Sequence, residues 1–382
     1  MVRLREVVAA LDEWFDPRWA ESWDAVGLVC GDPTERVERV LLAVDAVPST
    51  VDEAIEAGAE LLITHHPLLL TGVHGVPADD PKGALVHRMI RAGTAHFVAH
   101  TNADVARPGV SDALARRLGL TDLRPLVPDT EEALDKLVVF VPHADRDQVV
   151  DALASAGAGR LGDYDRCAWM SEGEGTFRPL IGASPSLGEI GLIERVPETR
   201  VEMVVARTAR DAVVAALRTA HPYEEPAFDL LPMASLTSRR GTGRVGELAQ
   251  PVTLAEFTRH AAQVLPSTAW GVRAAGDPGR LLRRVAVCGG SGGGYTEQAR
   301  RAGADVFLTA DLKHHPVVEA VTERGGDGMA MIDAAHWATE SPWLDELGVS
   351  LRERFGTTVD VRVSTIVTDP WTMHAASTRP DQ

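Results

Sequence analysis

A chain of 382 residues, 45% hydrophobic and 24% charged, has the composition of a soluble globular protein with a sizeable core and room for roughly two or three domains. Its net charge of −17 excludes a general affinity for nucleic-acid backbone or anionic membrane, though not a local basic pocket for a phosphate. Cys30, Cys167 and Cys288 are far apart and odd in number, with no C-x-x-C pair. That argues against a disulfide framework and a thiolate metal site, and leaves each as a small buried hydrophobe.

In chain order, "MVRLREVVAALDEWFDP" mixes acids into apolar positions and predicts an amphipathic helix, not a signal peptide. With no run near the 18 or so apolar residues of a membrane span, the expected compartment is the cytoplasm. "VERVLLAVDAVP" (37–48) predicts a strand, and "STVDEAIEAG" a helix with Ser49 or Thr50 as N-cap and Gly58 beyond its end. "AELLIT" is then a buried strand closing a right-handed βαβ unit. Helix "PKGALVHRMIRAG" and strand "GTAHFVAH" (93–100) come next. Residues 121–136 break the rhythm with Pro, Asp and Glu. From Leu137 to about Met233 a different unit opens with strand "LVVFVP" and helix "ADRDQVVDALASAG". The first rhythm resumes near "GTGRVGELAQPVTLAEF", then runs through strand "RRVAVCGG", helix "YTEQARRAG", strand "ADVFLT" and strand "GMAMIDA". We therefore expect one domain from residues 1–131 and 239–382, interrupted by an inserted domain at 132–238, since surface loops tolerate insertion best.

The two outer parts share a pattern. "AIEAGAELLIT" (54–64) aligns with "ARRAGADVFLT" (299–309), one helix–turn–strand unit written twice. Thr64 and Thr309 should then end equivalent strands, and the residues after each should lie on the sheet edge where α/β folds build their sites.

Potential ligands gather at those strand ends. His65 and His66 come directly after Thr64, with Pro67 stopping the ladder; "HTNAD" supplies His100 and Asp104; "HWATE" supplies His336 and Glu340 at i and i+4. A helix over "HWATESPWLDEL" puts both of the last pair on one face. Adjacent residues on a strand point to opposite faces, so His65 and His66 reach one site only if the strand has given way to a loop, as Pro67 favours. Imidazole with carboxylate and no thiolate suits zinc, iron, manganese or nickel. Five or six such ligands exceed the needs of one tetrahedral ion, and a bridging carboxylate such as Glu340 suits two metals about 3.5–4 Å apart.

Two other motifs carry less. "CGGSGGG" (288–294) lacks a G-K-[ST] after it and reads as a close-approach loop at the rim of the site, with an anion-binding role as the alternative. "HPYEEPAFDLLPM" (221–233) could bind metal through His221, Glu224 and Glu225, but its prolines and apolar tail favour a shaped loop.

"SWDAVGLVCG", "LLAVDAVPSTVDEAIEAGAELLITHHPLLL", "AHTNADVARPGVSDALARRLGL", "LTADLKHH" and "IDAAHWATE" closely resemble the Nif-three-like dinuclear metal-centre proteins, also labelled GTP cyclohydrolase I type 2 homologues. "HPYEEPAFDLLPM" with "GTGRVGEL" after it resembles their long subclass, with an inserted ferredoxin-like α+β domain of the PII and CutA type. The resemblance covers nearly the whole chain. It implies a duplicated α/β fold and a site for two divalent metal ions per chain (zinc, iron or manganese). It also implies a homohexamer whose cavity the sites face, and cytoplasmic residence. By position the metal ligands are His65, His66, Asp104, His336 and Glu340, with His100 an additional or outer ligand. Lys313 and His315 fall on the family's lysine and histidine beside the metals and are the candidates for catalytic roles. Where the family usually has T-G-D this chain has Thr309, Ala310 and Asp311.

The function the resemblance implies is metal-assisted hydrolysis of a nucleotide or phosphate ester, of the GTP cyclohydrolase I type 2 kind, in which paired ions lower the pKa of a water. The rival reading is a non-catalytic metal-binding or regulatory hexameric scaffold.

Overall fold

The computed structural model describes residues 1–130, 133–235, 237–322 and 328–375. The chain divides into two compact units, one of Met1–Asp129 with Arg239–Gln382 and the other of Thr130–Ser238.

The larger unit holds two sheets of the same design. In the first, the strands lie in the order Gly27–Cys30, Ala95–Val98, Leu61–Thr64, Arg39–Ala43 and Asp360–Val363. Only the Gly27–Cys30 edge runs antiparallel to its neighbour. In the second, Val272–Ala275, Ala330–Ala334, Val306–Ala310 and Leu281–Val287 repeat that arrangement, with the first again antiparallel and the rest parallel. Thr237–Thr253 and Thr121–Thr130 extend this sheet to its far edge. Leu61–Thr64 and Val306–Ala310 hold equivalent places in the two sheets, although the second strand runs one residue past Thr309, to Ala310. The repeat in the sequence is a repeat in topology, and the fold is a duplicated α/β domain.

The apolar runs become strands because parallel sheets covered on both faces need side chains for both. Leu42, Leu61, Ile63 and Phe97 pack on one face against the helices Leu4–Trp14 and Pro342–Phe355. Leu41, Ala43 and Leu62 pack on the other against the helices Pro48–Glu56 and Pro81–Ala92. The second sheet does the same, with Val285, Val306, Leu308 and Ile332 in one cluster and Ala286, Phe307 and Met331 in another.

Some expectations need correction. Residues 121–130 are a continuous strand despite Pro125 and Pro128, which an edge position tolerates because a missing N–H costs nothing on the open side. The helix expected to be capped by Ser49 or Thr50 starts earlier, with Val47 as N-cap and Pro48 in its first turn, where a missing N–H is harmless. Of the cysteines only Cys288 is buried; Cys30 and Cys167 are partly exposed.

In the smaller unit the strands Leu134–Pro142, Ala168–Phe177, Glu194–Ala206 and Phe228–Pro232 form one antiparallel sheet, with the second strand at one edge, then the third, the first and the fourth. The helices Arg146–Ser155 and Arg210–Ala220 complete a βαββαβ, ferredoxin-like order. Leu137, Val139, Val141, Val201, Met203 and Val205 alternate onto one face and bury it against Val149, Leu153, Val213 and Leu217.

The smaller unit leaves the larger one from neighbouring strands: Arg240 pairs with Asp129 at 3.5 Å, and the flanking strands are adjacent in the second sheet. A short Gly/Ser link can therefore replace residues 132–238. The excised chain is expected to fold and to take up as much metal per chain as the full protein. Metal analysis checks this: a folded excised chain that binds none would assign ligands to the smaller unit.

Candidate metal centre

The site is built where strands of both halves of the larger unit run out. Thr64 ends its strand and its Oγ1 donates to the His66 carbonyl at 2.9 Å, curling the chain so that His65 and His66 leave sheet geometry together. Two short helices, Thr101–Val105 and His336–Glu340, come after equivalent strands of the two halves. Each carries an acid four residues after a histidine, Asp104 after His100 and Glu340 after His336.

These six side chains converge. The imidazole centroids are 5.0 Å apart for His65 and His66, 5.1 Å for His65 and His100, 5.5 Å for His66 and His100, and 5.2 Å for His66 and His336. Glu340 is buried at the centre. Its Oε1 lies 2.9 Å from His336 Nε2 and 3.5 Å from His65 Nε2, and its Oε2 lies 3.1 Å from His66 Nε2. Asp104 Oδ1 is 3.7 Å from His65 Nε2. Two groups offer ligand atoms close enough to hold an ion, His65 with His66 and His100, and His66 with His336 and Glu340.

Each imidazole is also held from behind. His66 Nδ1 is 2.7 Å from Asp45 Oδ1, His100 Nδ1 is 2.8 Å from Asp24 Oδ1, His336 Nδ1 is 2.7 Å from Asp311 Oδ2, and His65 Nδ1 is 2.9 Å from the Ala99 carbonyl. An acceptor at Nδ1 keeps the proton there and leaves Nε2 with its lone pair, which is the arrangement of metal-binding histidines. The ring also has the right polar deficit: His65 Nε2 and Glu340 Oε2 are buried without a hydrogen-bond partner, a costly state that a cation would relieve. The electrostatics agree. Burial works to depress the imidazoles, yet the Glu340 charge overrides it, raising His65, lifting His336 to about 9 and His66, with help from Asp45, to about 11. Glu340 is driven well below the usual carboxylate range, because the His66, His336 and His65 charges outweigh its burial. The cluster attracts positive charge, and its residues fit a divalent ion.

The glycine-rich loop lies against this centre. A Cβ on Gly290, at φ +64°, would sit 2.4 Å from Glu340 Oε1 and 3.1 Å from His336 Nε2, so only glycine lets the loop approach. Gly290 N–H donates to Thr339 Oγ1 at 2.9 Å. Ala310 continues the strand, and the left-handed turn falls on Asp311 at φ 55°, a conformation aspartate tolerates. The family's glycine is therefore not needed here.

Other expected residues stand apart. Lys313 and His315 are exposed at the start of the helix His314–Val321. Lys313 lines a different cavity, with Arg273 and Asp333. In the smaller unit, His221 has both nitrogens engaged, Nε2 with the Phe140 carbonyl at 2.9 Å and Nδ1 with Tyr223 N–H at 3.1 Å. Residues 221–227 are the expected loop, but the apolar remainder, also expected as loop, is the edge strand Phe228–Pro232, because its backbone pairs into the sheet. Sequence reasoning did not single out Asp24, Asp45 or Asp311 as orienting carboxylates. The available signal was position, since Asp45 and Asp311 each fall just past the end of a buried strand. Asp45→Asn is expected to weaken metal binding about 10–100-fold, the usual cost of losing an outer partner, as competition with a chelator would measure.

A family model for Duf34/NIF3 (NGG1p interacting factor 3) matches residues 2–370. The chain belongs to the Duf34/NIF3 family. A relative from Mycobacterium tuberculosis named "GTP cyclohydrolase 1 type 2 homolog" is 50% identical over 373 residues, covering 97% of each chain. A Bacillus subtilis relative of the same name is 37% identical over 373 residues, 96% of this chain and 97% of its own. Among solved structures, a Bacillus cereus protein related to NIF3 is 34% identical with a TM-score of 0.72, covering 98% of this chain and 99% of its own. A Staphylococcus aureus protein is 30% identical with a TM-score of 0.81 over the same shares. Among the described residues of this Duf34/NIF3 protein, no helix is long and apolar enough to cross a membrane.

Proposed function

We propose that this Duf34/NIF3 protein binds two divalent ions per chain, of zinc, iron or manganese, and uses them in hydrolysis of a nucleotide or phosphate ester, in a cytoplasmic homohexamer. The observation that carries the reading is the set of four imidazoles, each held at Nδ1 by an oxygen, around one buried carboxylate. His65, His66, His100, Asp104, His336 and Glu340 are the residues that would hold the ions, each imidazole through its Nε2. Bound there, the ions would supply Lewis acidity and a water of lowered pKa. The name of the relatives, "GTP cyclohydrolase 1 type 2 homolog", supports a guanine nucleotide as the first substrate to try. The chain's own contribution is to orient the imidazoles through Asp24, Asp45 and Asp311, and to keep Glu340 ionised.

The test is metal analysis of the purified protein, then a turnover screen with GTP and simple phosphate esters, with and without chelator. Turnover that vanishes with the metal supports hydrolysis. A fully loaded protein inert on every substrate would return the site to the metal-binding scaffold reading. Lys313, as an exposed ammonium, is proposed to steady a substrate phosphate. Lys313→Ala is expected to raise KM severalfold at unchanged metal content, because a protonated amine is no ligand; unchanged kinetics would remove Lys313 from the site.

A further inference from the structure

Beside the imidazoles lies a cavity of about 320 Å³, the lower end of the size range of small-molecule sites. His66 and His336 form one wall, and Trp270 and Trp371 stand against each other at 5.6 Å between ring centroids and 40° between planes. Trp371 and Asp369 arrive on the segment after the last strand, which runs beside the end of Arg39–Ala43 through Ser364 N–H to the Leu42 carbonyl and Thr368 Oγ1 to Asp45.

Two polar groups in this wall are buried and uncommitted. Asp369, 7% exposed, accepts Trp371 N–H on Oδ1 at 3.3 Å, while its Oδ2 has no partner; Trp270 Nε1 has none either. The other carboxylates are engaged, Asp45 with His66 and Thr368, Asp311 with His336. A buried carboxylate oxygen calls for an N–H donor, and an indole N–H calls for an acceptor. Indole faces favour a planar ring. Three acids in the wall repel a phosphate, and the Arg273 guanidinium, 4.5 Å from the Trp270 ring centre, already fills the cation's place on that indole.

We infer that this cavity receives the base of the substrate, a purine of the 2-amino-6-oxo type, with Asp369 accepting from its ring N1–H and 2-amino group and an indole stacked on its face. The inference rests on the hydrolytic reading of the neighbouring centre and names its substrate class. A carboxylate satisfied by two adjacent N–H groups rejects a ring lacking one of them, because its oxygen is then left buried and unpaired.

The probe is guanosine, which carries no phosphate, with inosine (the same ring without the 2-amino group) and adenosine as competitors. Binding to the full, metal-loaded protein is measured by calorimetry. Guanosine is expected to bind about 10–100-fold more tightly than inosine or adenosine, the worth of a charge-assisted hydrogen bond. Asp369→Asn keeps the Oδ1 contact and should abolish that preference at unchanged metal content; Trp371→Ala should weaken all three nucleosides. Equal binding of guanosine and inosine to the unaltered protein, or no guanosine binding at millimolar concentration, overturns the inference without needing any variant. Metal-dependent hydrolysis of p-nitrophenyl phosphate, which has no base, separately tests the hydrolytic reading. A loaded protein that binds guanosine with this preference yet turns over neither p-nitrophenyl phosphate nor GTP would sink hydrolysis and leave the base site standing.

Discussion

Glu340→Gln is expected to empty the metal centre, lowering affinity by more than the roughly 100-fold that loss of an outer partner can cost. Glu340 reaches three imidazoles, with Oε1 beside His336 and His65 and Oε2 beside His66, so one substitution touches both proposed ions. Gln keeps the shape but removes the charge that holds His66 near 11 and His336 near 9. It also replaces one acceptor oxygen with an NH2 group, which donates and cannot ligate. Metal content by mass spectrometry, together with a thermal unfolding curve, decides the matter. A folded variant that retains two ions per chain would exclude a bridging Glu340.

Asp112→Ala is expected to cost about 3–5 kcal/mol of stability, the usual penalty for stranding a buried charge. Arg244 is fully buried on the second sheet. Its guanidinium donates to Asp112 Oδ2 at 2.6 Å, to the Ala106 carbonyl at 2.5 Å, and to the carbonyls of Gly241 at 2.5 Å and Gly243 at 2.7 Å. Asp112 also accepts the Gly109 N–H at 2.9 Å. The pair therefore ties the first part of the chain, before the smaller unit, to the part after it. Removing the carboxylate leaves a cation that water cannot reach. Against a total stability of about 5–15 kcal/mol, denaturant unfolding would register the change clearly; a loss under about 1 kcal/mol would mean that the guanidinium is satisfied by carbonyls alone.

The sequence by itself determined the central strands of both sheets and which histidines and carboxylates converge. Runs such as "ELLIT" and "DVFLT" are apolar through their middle because both faces of a parallel strand are covered. That continuity, written twice with the same helix and turn before it, is legible without coordinates. The ligand types were legible too, since an imidazole pair before a proline and histidine–acid pairs at i and i+4 are local patterns. What the tertiary structure decided is everything carried by residues far apart in the chain. Asp24 meets His100 across 76 positions and Asp311 meets His336 across 25, and no local period marks such partners. The edge position of Thr121–Thr130, which makes its prolines harmless, depends on which strands remain unpaired in the assembled sheet. The burial of Arg244 opposite Asp112, and the arrival of Asp369 and Trp371 beside the imidazoles, depend on how distant parts of the chain pack together. A charged or aromatic residue in a polar stretch looks the same in sequence whether it ends in solvent or in a wall; only the packing around it settles which, because burial is a property of its neighbours.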